Sequence, residues 1–213
     1  NIGEEKMINK LKNILLDKKI WLFTGITLIF FGTLARMEMA VDTYATLTFS
    51  MKEYINQFAS SGRFLLVIVG IILKMLNLEN KTIYFISYMC AIICMVISLY
   101  KMYTIIKDDV KEEIFRILIP ILIVLNAFSL ELFLFIEKGV MLFGVTMCIF
   151  ATGEIKKWLE SKNNKNLIFS FIFMLLANFS YQGVVGIFIA ISVVYIIKYS
   201  KNLKQFIVNN IVT

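Results

Sequence analysis

A multi-pass bundle of transmembrane helices, all-α throughout, is the fold class the sequence predicts, and three observations predict it. Hydrophobic residues make up 59% of the chain, with a mean hydropathy of +0.80 and a single proline in 213 residues, a composition foreign to soluble domains. The apolar residues come in long uncharged runs instead of the two-residue alternation of a membrane β-barrel. The 22 Lys and Arg residues stand in short clusters between those runs, which is the pattern of topology signals and not of a nucleic-acid-binding stripe. The net charge of +7 therefore implies a lipid bilayer as partner and no nucleic acid.

Taken in order, apolar runs occupy residues 20–35, 83–100, 117–130, 139–153 and 166–197. The last holds 32 residues; at about 1.5 Å per residue it would reach about 48 Å, against a hydrocarbon core of about 30 Å. The polar cluster Asn178-Phe179-Ser180-Tyr181-Gln182-Gly183 divides it as a hairpin turn, which brings the expectation to six spans. The run FLLVIVGIILKML at 64–76 is left to assign, and the cations assign it. If it stays on one side, sixteen of the 22 Lys and Arg share the face of the N-terminus, while Arg36, Lys52, Arg63, Lys74, Lys81 and Lys138 lie opposite. If it crosses, the split reverses to eight against fourteen. Cytoplasmic loops carry the Lys and Arg excess, so the N-terminus is read as cytoplasmic and residues 64–76 as an external membrane-boundary helix. Its back should pack on the bundle, with Lys74 snorkelling to water. Residues 1–213 are read as one transmembrane domain. The chain opens on Asn1 with Met7 a natural start, has no typical signal peptide and closes without a further domain, so the N-terminal part of a longer membrane protein is expected.

Several chemistries drop out. There is no histidine, which removes Ser-His-Asp and Cys-His catalysis and histidine-ligated metals within this chain. Cys90, Cys94 and Cys148 lie inside apolar runs; two thiols at i,i+4 make no closed zinc site, and core packing is the better reading. Chemistry here must use carboxylates, amides, tyrosines and cations.

The external regions offer such groups. Asp42, in RMEMAVDTY just past the first span, suits a general base taking a proton from a hydroxyl that attacks a sugar carbon. Glu38 lies four residues earlier and would share a face with it in a continued helix; the two suit divided base and orienting roles, or a divalent cation held with substrate phosphate. Loop solvation is the plainer reading of both. Arg63, in SSGRF, offers a guanidinium fork to phosphate oxygens, or an anchor for a helix end in lipid headgroups. Its neighbour Gly62 would let backbone approach closely. Glu131 interrupts SLELFLFIEKG between apolar runs, and an acid near membrane depth points to function. Glu137 and Lys138 read as a solvated loop pair. Tyr181 and Gln182 offer hydroxyl and amide groups to a sugar, or simply cap the hairpin.

RMEMAVDTY, then SSGRFLL, SLELFLFIEKG and NFSYQG, together resemble the bacterial type II Gtr glucosyltransferases, of the GT-C superfamily of polyprenyl-phosphate-dependent glycosyltransferases. The resemblance spans about residues 20 to 200, mainly in order and topology. It implies a bacterial plasma-membrane enzyme that moves a sugar, plausibly glucose, from a polyprenyl-phosphate donor to a hydroxyl of a cell-envelope glycan on the outer face. It further implies Asp42 as catalytic carboxylate, Arg63 as donor-phosphate or structural contact, Glu131 or Glu137 as second acid, and Tyr181 with Gln182 in the cleft. Family members show a denser acidic pattern near the first position, which leaves Asp42 and Glu38 as alternatives. A lipid-linked donor also accounts for the lack of a Gly-rich nucleotide loop. The rival class is a polytopic transporter or lipid flippase, which should show paired repeats or broken helices in corresponding halves; the sequence shows no such repeat.

Overall fold

The computed structural model describes residues 16–35, 40–202, 205, 209 and 210, with the backbone alone for Val41, Asp42, Tyr44 and Ala45. Every element is helical, with no strand among the described residues. In chain order they are α1 (Lys18–Phe31, continued by a 3-10 turn at Gly32–Ala35), α2 (Val41–Thr48), α3 (Met51–Ser60), α4 (Phe64–Met75), α5 (Asn80–Ile106), α6 (Glu113–Val124), α7 (Ala127–Leu132), α8 (Lys138–Ser161), α9 (Asn164–Ser180), a 3-10 turn at Gln182–Val184, and α10 (Val185–Tyr199). Among the described residues four segments are long and apolar enough to cross a membrane: Lys18–Ala35, Asn80–Ile106, Lys138–Ser161 and Gln182–Tyr199.

The centre of the bundle is α8. Its apolar window is 83% buried, against 17 to 39% for the other three, because α5, α9 and α10 all pack on it. Small hydroxyl residues mark these seams. Ser98 and Thr146 hydroxyls meet at 3.0 Å between α5 and α8, and Ser170 on α9 donates to the Ala151 carbonyl at 3.1 Å. The bonds satisfy polar groups that would otherwise be stranded among apolar side chains.

Three tyrosines and an aspartate fix α1 antiparallel to α5. At one end Asp17 caps α1 by accepting from the Lys19 amide and accepts the Tyr100 hydroxyl, both at 2.9 Å. At the other, Tyr84 donates to the Leu34 carbonyl at 2.8 Å and Tyr88 to that of Phe31 at 3.1 Å. The last turn of α1 and the first turn of α5 therefore lie at one end of the bundle, and the segment between them returns to where it left. α4 has 12 residues, about 18 Å at helical rise, well short of a bilayer core. Its inner face buries Leu66, Val67 and Gly70, while Ile68, Ile72 and Met75 are exposed. Lys74 is half-buried, and its amine donates to the Phe49 carbonyl at 2.5 Å. It folds back onto the α2–α3 linker instead of snorkelling to water.

The opposite end is closed by charge. Asp109 accepts from Lys156 at 2.7 Å, from the Tyr195 hydroxyl at 3.2 Å and from Lys198, tying the end of α5 to α8 and α10. Burial works against the ionised Asp109, but the two lysines outweigh it and hold its pKa below the usual carboxylate range.

The run expected to span at 117–130 does not form one helix. α6 stops at Val124, Leu125 leaves helical geometry (φ −97°, ψ 72°), and Asn126 starts α7. Asn126 does both jobs: its amide donates to the Ile123 carbonyl at 2.9 Å and its oxygen accepts from the Ser129 amide at 3.0 Å. A short polar side chain that competes for backbone partners favours caps over helix interiors, and here it divides an otherwise apolar run. Pro120, with no amide to donate, further weakens the same helix.

Candidate functional site

The end of the bundle that holds the start of α5 also gathers α2, α3, α4, the 178–183 turn and the start of α8. α9 ends at Ser180, Tyr181 takes an extended conformation and the 3-10 turn leads into α10, so the polar cluster is the hairpin turn. It is recessed: a side chain at Gly144 would meet Ser180 and Val184, six residues into α8 and about 9 Å from its first residue at helical rise. Polar backbone at such depth needs protein partners. The Gln182 amide supplies one, donating to the Ser61 carbonyl at 2.6 Å. Gly62, at φ +74°, makes this approach possible, since a side chain there would stand 3.0 Å from the same Gln182 nitrogen.

Arg63, the residue before α4, lies over the Tyr181 ring, its guanidinium carbon 4.7 Å from the centroid. Tyr181 is stacked in turn on Phe128 with centroids 6.3 Å apart, and Phe64 meets Phe179 edge-on at 5.4 Å. A guanidinium on an aromatic face gains about 0.5 to 2 kcal/mol, and the Arg63 Nε is buried without a hydrogen-bond partner. Arg63, Tyr181 and Gln182 thus form one group joining the start of α4 to the hairpin.

Glu137 and Lys138, read from sequence as a solvated pair, are withdrawn from solvent, Lys138 wholly and Glu137 in part. Lys138 has no exposed surface, and its amine lacks a hydrogen-bond partner and lies 3.5 Å from the Tyr84 ring centroid and 6.0 Å from that of Tyr88. Glu137 immediately precedes α8 and has one carboxylate oxygen buried without a partner. Burial pushes its pKa above the ordinary carboxylate range, while the charges of Arg63 and Lys138 pull the other way. The local sequence hid this because the tyrosines that enclose Lys138 come from α5, some fifty positions upstream.

The other candidates divide. Asp42 is in the first turn of α2. That turn is tied to the segment before Glu137, since the Ala40 amide donates to the Leu134 carbonyl at 2.8 Å and the Ile136 amide to the Thr43 hydroxyl at 3.4 Å. The backbone of Asp42 is thereby brought to the Glu137 side of the site. Glu38 lies outside the described residues. Glu131, on α7, is exposed and does not line the cavity described below. Among the described residues no group of three Asp, Glu, Cys or His could hold a metal, so a divalent cation finds no fitting ligand set there.

A cavity of about 640 Å³ adjoins Glu137. α4 supplies Leu65, Val69 and Leu73, α5 supplies Ile83, Ser87 and Cys90, and Tyr54 and Lys74 border it. Sequence reasoning missed Tyr54, whose ring lies against Gly70 and under the Lys74 amine at 5.1 Å; its place at the i,i+4 partner of Phe58 on an amphipathic helix was the available signal. An apolar chamber with one enclosed acid and a guanidinium nearby is fitted to hold an amphiphile and to exchange a proton with it. Compared with known protein families, curated proteins and solved structures, the chain matches none.

Proposed function

We propose that this is a membrane glycosyltransferase of the GT-C type, moving a sugar, glucose by resemblance, from a polyprenyl-phosphate donor to a hydroxyl of a cell-envelope glycan on the outer face of the bacterial plasma membrane. The observation that carries the reading is the half-buried acid Glu137 within the electrostatic reach of Arg63, beside an apolar cavity, at the bundle end that also holds Asp42 and the 178–183 turn. In this account six apolar segments cross the membrane, α6 with α7 and the shorter α9 included, and α2 to α4 lie on the outer face with the N-terminus in the cytoplasm.

The acceptor hydroxyl oxygen attacks the anomeric carbon, the bond from that carbon to the phosphate oxygen breaks, and the lipid phosphate leaves with the bonding pair. Asp42 or Glu38 takes the hydroxyl proton. Arg63 meets the growing charge on the phosphate, while Glu137, Tyr181 and Gln182 orient the sugar. Reconstituted protein supplied with radiolabelled glucosyl polyprenyl phosphate and envelope glycan should transfer label, and Asp42→Asn should abolish transfer while leaving the thermal midpoint in place. Full activity of that variant removes Asp42 from the mechanism.

The break between α6 and α7 at Asn126 favours a second reading, a lipid flippase, since interrupted helices accompany substrate passage in transporters. Translocation of a fluorescent lipid across vesicles in the absence of any sugar transfer would select it.

A further inference from the structure

The cavity beside Glu137 is open to the outside of the bundle. α4 and α5 face each other across it, and Ile86 and Cys90, both on its wall, are exposed. The surfaces on either side of that opening are apolar: Ile68, Ile72 and Met75 on α4, and Phe85, Met89 and Ile93 on α5. A cavity that opens through such a surface is entered from the hydrocarbon of the bilayer, so its occupant is the chain of a lipid. The volume of about 640 Å³ lies in the range of about 300 to 1,000 Å³ that holds one small ligand.

The wall also selects the head of that lipid. Glu137 is the one acid among the described residues that line it, and a carboxylate disfavours a phosphate or carboxylate head. Lys74, the one cation among them, already donates to the Phe49 carbonyl. Arg63 and Lys138 act on Glu137 but do not line the cavity; with both already beside the carboxylate, a cationic head would be a redundant counter-charge. An uncharged hydrogen-bond donor satisfies Glu137 without upsetting this balance. We infer that the cavity between α4 and α5 binds the chain of a membrane lipid bearing a hydroxyl head, with Glu137 accepting the hydroxyl hydrogen. Arg63, assigned the phosphate contact, does not line this cavity, whereas Glu137 is shared with the proposed transfer; the binding stands whether or not the protein transfers sugar.

The test reads binding and no turnover, so its failure and that of the glycosyltransferase reading are distinguishable. The full chain in phosphatidylcholine nanodiscs is photolabelled with hexadecanol carrying a diazirine in the chain, and labelled peptides are mapped by mass spectrometry. Saturable label is expected on the peptides containing Val69 and Ile83, with unlabelled hexadecanol reducing it roughly tenfold and hexadecyl phosphate or hexadecylamine leaving it in place. Val69→Trp, which fills the cavity, should lower it by a similar factor; Glu137→Leu should keep chain labelling but lose the preference for the alcohol. Label spread evenly over exposed faces such as those of Ile29, Leu122 and Ile189 would overturn the inference. So would competition by hexadecyl phosphate or hexadecylamine as effective as that by the alcohol. The competition arm uses the unmodified protein and decides the matter even if Val69→Trp does not fold.

Discussion

Gly70→Ala probes the packing that holds α4 on α3. A β-carbon built on Gly70 would fall 2.2 Å from Tyr54 Cε1 and 2.4 Å from Cζ and Oη, far inside van der Waals contact. The ring is rigid and buried between α3 and α4, so the helices must part by about an ångström, and overpacking of this kind costs about 1 to 3 kcal/mol. At about 2 to 4 °C per kcal/mol for a chain of this size, the thermal midpoint in detergent should fall by about 2 to 12 °C. The sign is diagnostic, because Gly to Ala inside a helix with free space around it stabilises by about 1 kcal/mol. In a Tyr54→Leu background the ring is gone and Gly70→Ala should become neutral or stabilising, a coupling that differential scanning fluorimetry of the four proteins would resolve. A midpoint that rises on Gly70→Ala alone, or an equal loss with and without the ring, would refute the packing of α4 on Tyr54.

Three other outcomes follow from the same geometry. Asp109→Asn leaves the buried Lys156 amine short of its counter-charge and should cost about 3 kcal/mol, read as a lower midpoint; Asp109→Asn with Lys156→Met should recover most of it, and no recovery would argue against the pair. Since the lysines hold the Asp109 pKa low, that stabilisation is present at neutral pH and should be lost as pH falls through the lowered native value. Glu137 has the opposite sign: burial raises its pKa above 4.5, so ionisation costs stability at high pH, and the cost fades as pH falls through the raised value and is gone below 4.5. Glu137→Gln, neutral throughout, should raise the midpoint more at roughly pH 8 than at roughly pH 5, and an equal effect at both would contradict an enclosed carboxylate. Arg63→Lys keeps the charge but not the fork, so it should lower transfer about tenfold or more, and activity equal to that of the native protein would reduce Arg63 to an anchor.

The parts of the fold legible in the sequence were those set by composition and charge spacing. The 178–183 turn stood out because five polar or small residues, Asn178 and Ser180 to Gly183, interrupt an apolar stretch too long for one helix, and the run at 64–76 could be placed beside the bundle because every later cation depended on it. The break at Asn126 was not seen, because one asparagine in an apolar run gives no signal until Ser129 and the Ile123 carbonyl are known to be in reach. Glu137 and Lys138 were misread for a related reason. Adjacent opposite charges look solvated, and what encloses Lys138 is a pair of tyrosines on α5, distant in sequence. Of the site, Arg63, Tyr181 and Gln182 do come together, whereas Tyr54 and Gly70 meet only through the pairing of two helices that no local pattern specifies.

On the proposed topology α4 turns back at one face of the bundle. Single cysteines placed at Asn56 and Lys81, on either side of α4, and at Asn163, in a background with Cys90, Cys94 and Cys148 replaced, measure this in intact cells with an impermeant maleimide. Labelling at Asn56 and Lys81 from outside, with Asn163 reached only after permeabilisation, is the predicted result; Asn56 and Lys81 on opposite sides of the membrane would contradict it.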